Sequence, residues 1–507
     1  MNSIGRKSLI ACAVATALGS GAAIAVPPTT TPDIVLYAAG GSAQANAFFT
    51  AMNTLMNSVS SYSDATGCAD SGSYRVVFGS LKAAAVANGA TIAAGKNILY
   101  FYKFNGGSFP NGVNPQVGAG VTLAYPNTLT IIPGTTTFPL PVAETCTNAG
   151  APNYTFSDTN QLTNTQIPDW GVADVEVGLF SGYNNSSGTC AGASTSINCQ
   201  GPNAPTVGKS TGIYDNLFGV ATTHSVFTGT GPAAGHPKTN FTRAEMVGIL
   251  SGQTSDWSQL YDDNGARMPA QKMILIDRGQ GSGTKASGNQ YFLGYPGGGS
   301  AAVLPGSAVF GYTGTSLQNS NIYQDIAESS TTNIINDLIN AQNDNLMAVA
   351  VLGLENPPAL HQAGGSTNLY DFTKINGIGV DTGGASDNVN GTVATTYVNA
   401  VTGAYDFFYQ NSFNTRANFL AGTGNGAIMA NVVQSTMQAA AFVGPNDSQA
   451  FPNSVNGTLQ DADNLAAPIK GGGMVSRKKV SPASLQPVFD AHTAGATAGV
   501  PLGSDPL

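Results

Sequence analysis

The chain is expected to fold as an α/β protein with largely parallel sheets, and three observations predict this. An apolar, strand-like run passes through a glycine turn into a helix-like run three times along the sequence. Strands alternating with helices favour parallel pairing, because a parallel crossover needs room for a helix. Charged residues are only 9% of the chain, against roughly 25% in average proteins. Gly, Ser, Thr and Asn stand in their place, which suits an exported protein with many turns.

The first residues carry the pattern of an export signal, expected to span 1–25. Arg6 and Lys7 give a basic start, an Ala/Leu/Val run follows, and Ala23-Ile24-Ala25 is a small-x-small cleavage site. No other stretch approaches the roughly 18 to 20 apolar residues of a membrane span, so no span is expected after signal removal. The first strand–turn–helix unit runs from Ile34–Ala38 through Gly40-Gly41-Ser42 into AQANAFFTAMNTLM, where Phe48, Phe49, Met52, Leu55 and Met56 fall at helical spacing. The second passes from YRVVF through Gly79-Ser80 into LKAAAVANG. The third passes from KMILID through RGQGSGT into KASGNQYF. Residues 105–168 and 181–212 break this rhythm with Gly, Pro, Asn and Thr, and are expected to be loop insertions.

The sequence carries five cysteines. Cys12 leaves with the signal, and Cys68, Cys146, Cys190 and Cys199 remain. An even number in an exported chain suggests two disulfides, with three possible pairings. No zinc-finger spacing appears and the four histidines are scattered, so neither a metal nor a cofactor is expected. A net charge of −9 argues against a nucleic-acid partner, which needs a basic stripe along the phosphates.

The recurring turn carries the chemistry. A helix N-terminus has unpaired N–H groups and a partial positive charge, and glycine lets an anion approach the backbone. Ser42, Ser80, and Ser282 with Thr284 occupy equivalent places in the three units. In a parallel sheet such turns lie at the carboxyl edge, where ligands bind. Arg278 adds a fixed charge with bidentate donors.

FTRAEMVGILSGQTSDWSQL (241–260) followed by KMILIDRGQGSGT resembles the substrate-binding proteins of phosphate ABC transporters. It shares their Thr-initiated helix, an I-x-x-G-x-x-x-x-W segment, a strand and Arg-x-x-x-Ser-Gly-Thr. PDWGVADVEVGL is similar to the family's aspartate loop, with Asp174 at the ligand-binding position. Gly41-Ser42-Ala43 and Gly79-Ser80 are similar to its two early turns. The resemblance implies a two-lobed type 2 periplasmic-binding-protein fold with long loop insertions. On this division 26–224 begins lobe 1, 225–355 forms lobe 2, and 356–507 returns to lobe 1 and ends in a tail. It further implies a periplasmic or secreted protein, not an enzyme, that holds phosphate or a similar oxyanion and partners an ABC transporter permease. Ser42, Ala43 (through its backbone), Ser80, Asp174, Arg278, Ser282, Gly283 and Thr284 would surround the anion. Asp174 would accept a hydrogen bond from a protonated phosphate. Four departures stand out: Ala43 replaces an aromatic, Gln280 replaces an acid that pairs with the arginine, Glu176 adds a second carboxylate, and the interval between Ser80 and Asp174 is far longer than the family's.

Two other readings stay open. The fold could serve a secreted adhesion or interaction protein with a modified or lost ligand site. Alternatively, Ser282-Gly-Thr-Lys285 matches S-x-x-K and Ser386-Asp387-Asn388 matches S-D-N, the motifs of penicillin-interacting serine hydrolases. Trp170 and Trp257 are expected to be core anchors, and YDFFYQ (405–410) a buried strand or helix.

Overall fold

A computed structural model describes residues 30–45, 51–52, 54–64, 72–127, 164–185, 205–296, 324–354, 368–379 and 405–438, with single residues and short pieces between them. The four cysteines expected to pair, the signal segment, the S-D-N motif and the tail lie outside the described residues.

The fold is mixed α/β, built on one large sheet. Its principal strands are β1 (Ile34–Gly40), β2 (Met56–Ser63), β3 (Tyr74–Leu81), β4 (Asn97–Lys103), β5 (Trp170–Ala173), β6 (Lys209–Thr223), β7 (Ile274–Arg278), β8 (Gln324–Glu328), β9 (Val349–Gly353), β10 (Tyr370–Ile375) and β11 (Phe408–Thr415). They run in the order β8-β7-β9-β6-β11-β5-β1-β4-β3-β2, with β10 also pairing β6. The sheet is less parallel than expected. β1 pairs β4 and β5 in parallel, and β7 pairs β8 and β9 in parallel, while β2–β3, β3–β4 and every pairing of β6 and β11 are antiparallel. Two parallel centres therefore face each other across the β6–β11 pair. β6 carries a register shift between Gly212 and Asp215.

Each centre has its own core. Met273, Ile274, Val349 and Leu352 pack with Trp257 on one side. Leu36, Ile98, Trp170 and Met429 pack on the other. Both tryptophans are fully buried: Trp170 stacks against Tyr100 and Phe413, and Trp257 donates through its indole N–H to Met347 O at 3.2 Å. Helix α1 (Arg243–Leu250) starts at a capping box in which Thr242 and Glu245 satisfy each other's backbone N–H groups. α2 (Gly283–Leu293), α3 (Thr331–Asn343) and α4 (Asn425–Gln438) complete the helices used below.

The third strand–turn–helix unit forms; of the first, β1 runs into a short helical turn at Ser42–Gln44, and Met56, expected in its helix, begins β2 instead. The second unit does not form. Gly79 and Ser80 are inside β3, and the alanine-rich run after them is a hairpin, Ala85–Ala87 against Ala90–Ile92. Asn88 (φ 53°) and Gly89 (φ 76°) make its turn, the left-handed pair that a two-residue hairpin requires. That turn chemistry outweighs the helix propensity of alanine. The expected insertions also prove partly ordered: residues 109–116 are helical, and Lys209–Gly212 belongs to β6.

Asp169, just ahead of β5, accepts a hydrogen bond from the Tyr37 backbone N–H at 2.9 Å. Burial pushes its carboxyl up to about 6, against the pull of that bond and of Arg416. The folded protein thus holds this proton more tightly than the unfolded chain does. The resulting stabilisation is complete below about pH 4 and is lost as the pH rises through about 6. In thermal melts between pH 7 and 5, wild type should gain stability on acidification relative to Asp169→Asn. Parallel pH profiles for the two proteins would contradict this.

Candidate functional site

The site forms where the carboxyl ends of β1, β4 and β5 meet those of β7 and β8. Chain leaving β4 touches chain leaving β7: the Phe109 N–H donates to Gly281 O at 2.8 Å, and the Gly281 N–H donates to Asn184 O at 3.2 Å.

Asp174, the residue after β5, lies between the two centres and is 6% exposed. A Cβ on Gly41 would come within 2.1 Å of its Oδ1, and a Cβ on Gly283 within 2.7 Å of its Cβ. Both neighbours must therefore be glycine. The Asp174 N–H donates to Ser108 Oγ at 3.3 Å, and Gln44 Nε2 donates to Asp174 Oδ1 at 3.2 Å. Burial pushes the carboxyl above its ordinary range, against the pull of the Ser108 and Gln44 hydrogen bonds and the Arg278 charge.

Opposite stands the loop from β7 into α2. Arg278 ends β7, 5% exposed. Its Nε donates to Glu328 O (3.3 Å), its Nη1 to Thr331 Oγ1 (2.8 Å) and its Nη2 to Ser329 O (3.1 Å). These neutral oxygens orient the guanidinium at the position where Gln280 replaces the expected acid. Gly281 (φ 84°) takes the left-handed turn that aims the chain into α2. Ser282 is the N-cap residue of α2, but its side chain caps nothing, and its buried Oγ has no hydrogen-bond partner among the described residues. The first turn of α2, with Gly283 and Thr284, is thus left without its usual side-chain acceptor. Lys285 turns away: its Nζ bonds Asp277. Burial opposes its charge, but Asp277 and Asp325 outweigh that and hold its pKa above the ordinary value.

Beside these groups is a cavity of about 260 Å³, lined by Ser42 and Phe104–Gly107 on one wall and by Arg278 and Ser329–Asn333 on the other.

Ser42, Asp174, Arg278, Ser282, Gly283 and Thr284 are brought to these facing edges, and Ala43 follows Ser42 in one short helical turn. Ser80 is not. It pairs with Asn97, the first residue of β4, and so lies at the opposite end of the strand from the site. The serine turn at the site is Gly106-Gly107-Ser108 instead, followed by the helical residues Phe109–Val113. Sequence reasoning missed it because it falls inside a stretch whose composition reads as insertion. The available signal was a third glycine–serine turn directly after the apolar run NILYFYKF.

No family model matches the chain, and no curated protein matches it. Solved structures with partial likeness include a Clostridium perfringens protein described as a phosphate ABC transporter substrate-binding protein, with bound phosphate (14% identity, TM-score 0.25). The match covers 44% of this chain and 64% of that one. An ABC-type phosphate transport receptor from Vibrio cholerae (13% identity) and PstS from Borrelia burgdorferi (14%) each match over 44% of this chain and 70% of theirs, both at TM-score 0.24. These are distant likenesses.

Gly283→Ala should cost about 1–3 kcal/mol, as overpacking against a fixed neighbour does. Gly279→Ala, whose Cβ would meet only Glu328 O at 3.5 Å, should be nearly neutral. Urea denaturation of the two variants checks this; equal stability would contradict the packing around Asp174.

Proposed function

We propose that this protein is an exported solute-binding protein that holds phosphate or a related tetrahedral oxyanion between the two parallel centres of its sheet. One observation carries the reading: a buried Ser282 hydroxyl with no partner among the described residues, at a helix N-terminus with no side-chain cap, four residues after Arg278. A buried hydroxyl without a partner costs free energy, on the order of 1–3 kcal/mol. An anion oxygen placed there would recover that cost, and the first-turn N–H groups would add donors. The side chain that usually caps such a turn is replaced by a ligand in this reading.

Asp174 suits a protonated oxyanion. Its carboxylate accepts the ligand's proton, whereas a fully ionised sulfate has none to offer and is repelled. Ser42 and Ser108 supply hydroxyls from the first centre, and Gly283 and Thr284 supply backbone donors from the second. Opening about the β6–β11 pair admits the anion, and closure over it remakes the Phe109–Gly281 contact. The protein binds rather than catalyses in this reading, since the lysine nearest Ser282 in sequence is committed to Asp277. A periplasmic or secreted location and delivery to an ABC transporter permease complete the proposal.

Phosphate in large excess should raise the melting temperature of ligand-stripped protein. Saturation at 100 times Kd corresponds to about 2.7 kcal/mol. Arg278→Ala and Asp174→Asn should each abolish the shift, and sulfate should give none. Lack of stabilisation by phosphate and arsenate alike would overturn the reading.

A further inference from the structure

The cavity beside Arg278 is larger than the proposed anion needs. At about 30 Å³ for each water, its 260 Å³ corresponds to about nine waters. A bare tetrahedral oxyanion, with five heavy atoms, displaces on the order of two or three. Ser282, Gly283 and Asp174 do not line this cavity and Arg278 does, so the cavity lies on the Arg278 side of the site. Arg278 lines this cavity, so a phosphoryl group held at Arg278 can carry a larger body into it.

The chemistry of the surplus space is specific. One wall offers the Asn105 amide, whose Nδ2 also donates to Ser73 Oγ at 3.2 Å, and the buried Phe104 ring, and the other offers Thr332 and Asn333 at the start of α3. Among the described lining residues, none is a carboxylate. The amide of Asn333, whose Nδ2 donates to Ser329 Oγ at 3.3 Å, keeps its oxygen as an acceptor, and Thr332 is exposed. Such a wall matches several hydroxyls on a small carbon skeleton, with one ring to cover a C–H face.

We infer that the site takes a phosphate monoester of a small polyhydroxylated alcohol or sugar, with the phosphoryl group at Arg278 and the hydroxylated body between Asn105 and Thr332–Asn333. This rests on the oxyanion reading above and names its ligand class.

The experiment is isothermal titration of the full chain with inorganic phosphate, glycerol 3-phosphate and glucose 6-phosphate. It is run on wild type, Thr332→Trp and Asn105→Leu, with the unliganded melting temperature of each confirming the fold. The expected result is that at least one ester binds wild type ten-fold or more tightly than inorganic phosphate. Thr332→Trp, which fills the space from an exposed position, should remove that advantage and leave phosphate affinity within about two-fold. Asn105→Leu should reduce it in the same direction. Binding of phosphate with no binding of either ester, or an ester advantage unchanged in both variants, would overturn the inference while leaving the oxyanion reading intact. Binding of none of the three would overturn both.

Discussion

Asp174 is a carboxyl group shut away from water between two backbone turns, with glycine on each side because no other residue fits. Much of the site's geometry depends on that constraint. Gly41 comes from the turn after β1 and Gly283 from the first turn of α2, so the carboxyl locks the two centres together. A charge in such a place is unfavourable unless hydrogen-bonded and paired. Gln44, Ser108 and Arg278 provide that compensation only in part, since burial still raises the carboxyl's pKa. A group under that pressure suits a ligand that brings its own proton.

The same carboxyl is coupled to the strands that carry the halves. Gln44 Nε2 reaches both Asp174 Oδ1 and, at 2.9 Å, the Asn411 amide on β11. Turned the other way, the Asn411 amide would donate to the carbonyls of Ala173 and Asp174 in place of accepting from Gln44. β11 is buried along its length yet carries Gln410, Asn411, Ser412 and Asn414, a polar run in what is otherwise core. These side chains bond across to Val175 O just after β5, to the 109–113 turn and to one another. Any rotation of the halves about β6 and β11 must pass through this network, and the site reports on it through Gln44.

The parts of the fold readable in the sequence were those where local chemistry and tertiary role agree. KMILIDRGQGSGT forms strand, turn and helix, because apolar β-branched residues, a left-handed glycine and a hydroxyl residue at the helix start all favour the same structure. Trp170 and Trp257 are buried as their apolar surroundings require. The failures have physical causes. LKAAAVANG looks helical from its alanines, but Asn88-Gly89 imposes a hairpin and places Ser80 at the wrong end of the sheet. Ser108 was hidden because a Gly/Pro/Asn-rich stretch reads as loop, although its residues turn into a short buried helix against β5. The replacement of an acid by Gln280 could be read, but its consequence could not. The carbonyls of Glu328 and Ser329 that hold Arg278 come from β8 and the turn after it, about fifty residues away in sequence.

The central claim is that the unpartnered hydroxyl of Ser282 and the first turn of α2 hold a tetrahedral oxyanion. Diffraction from crystals grown with arsenate, at a wavelength where arsenic scatters anomalously, tests it most directly. A single strong peak is expected within hydrogen-bonding reach of Ser282 Oγ, on the Arg278 side of Asp174. A saturated crystal with no peak there, or one whose arsenic lies only on the outer surface, would contradict it.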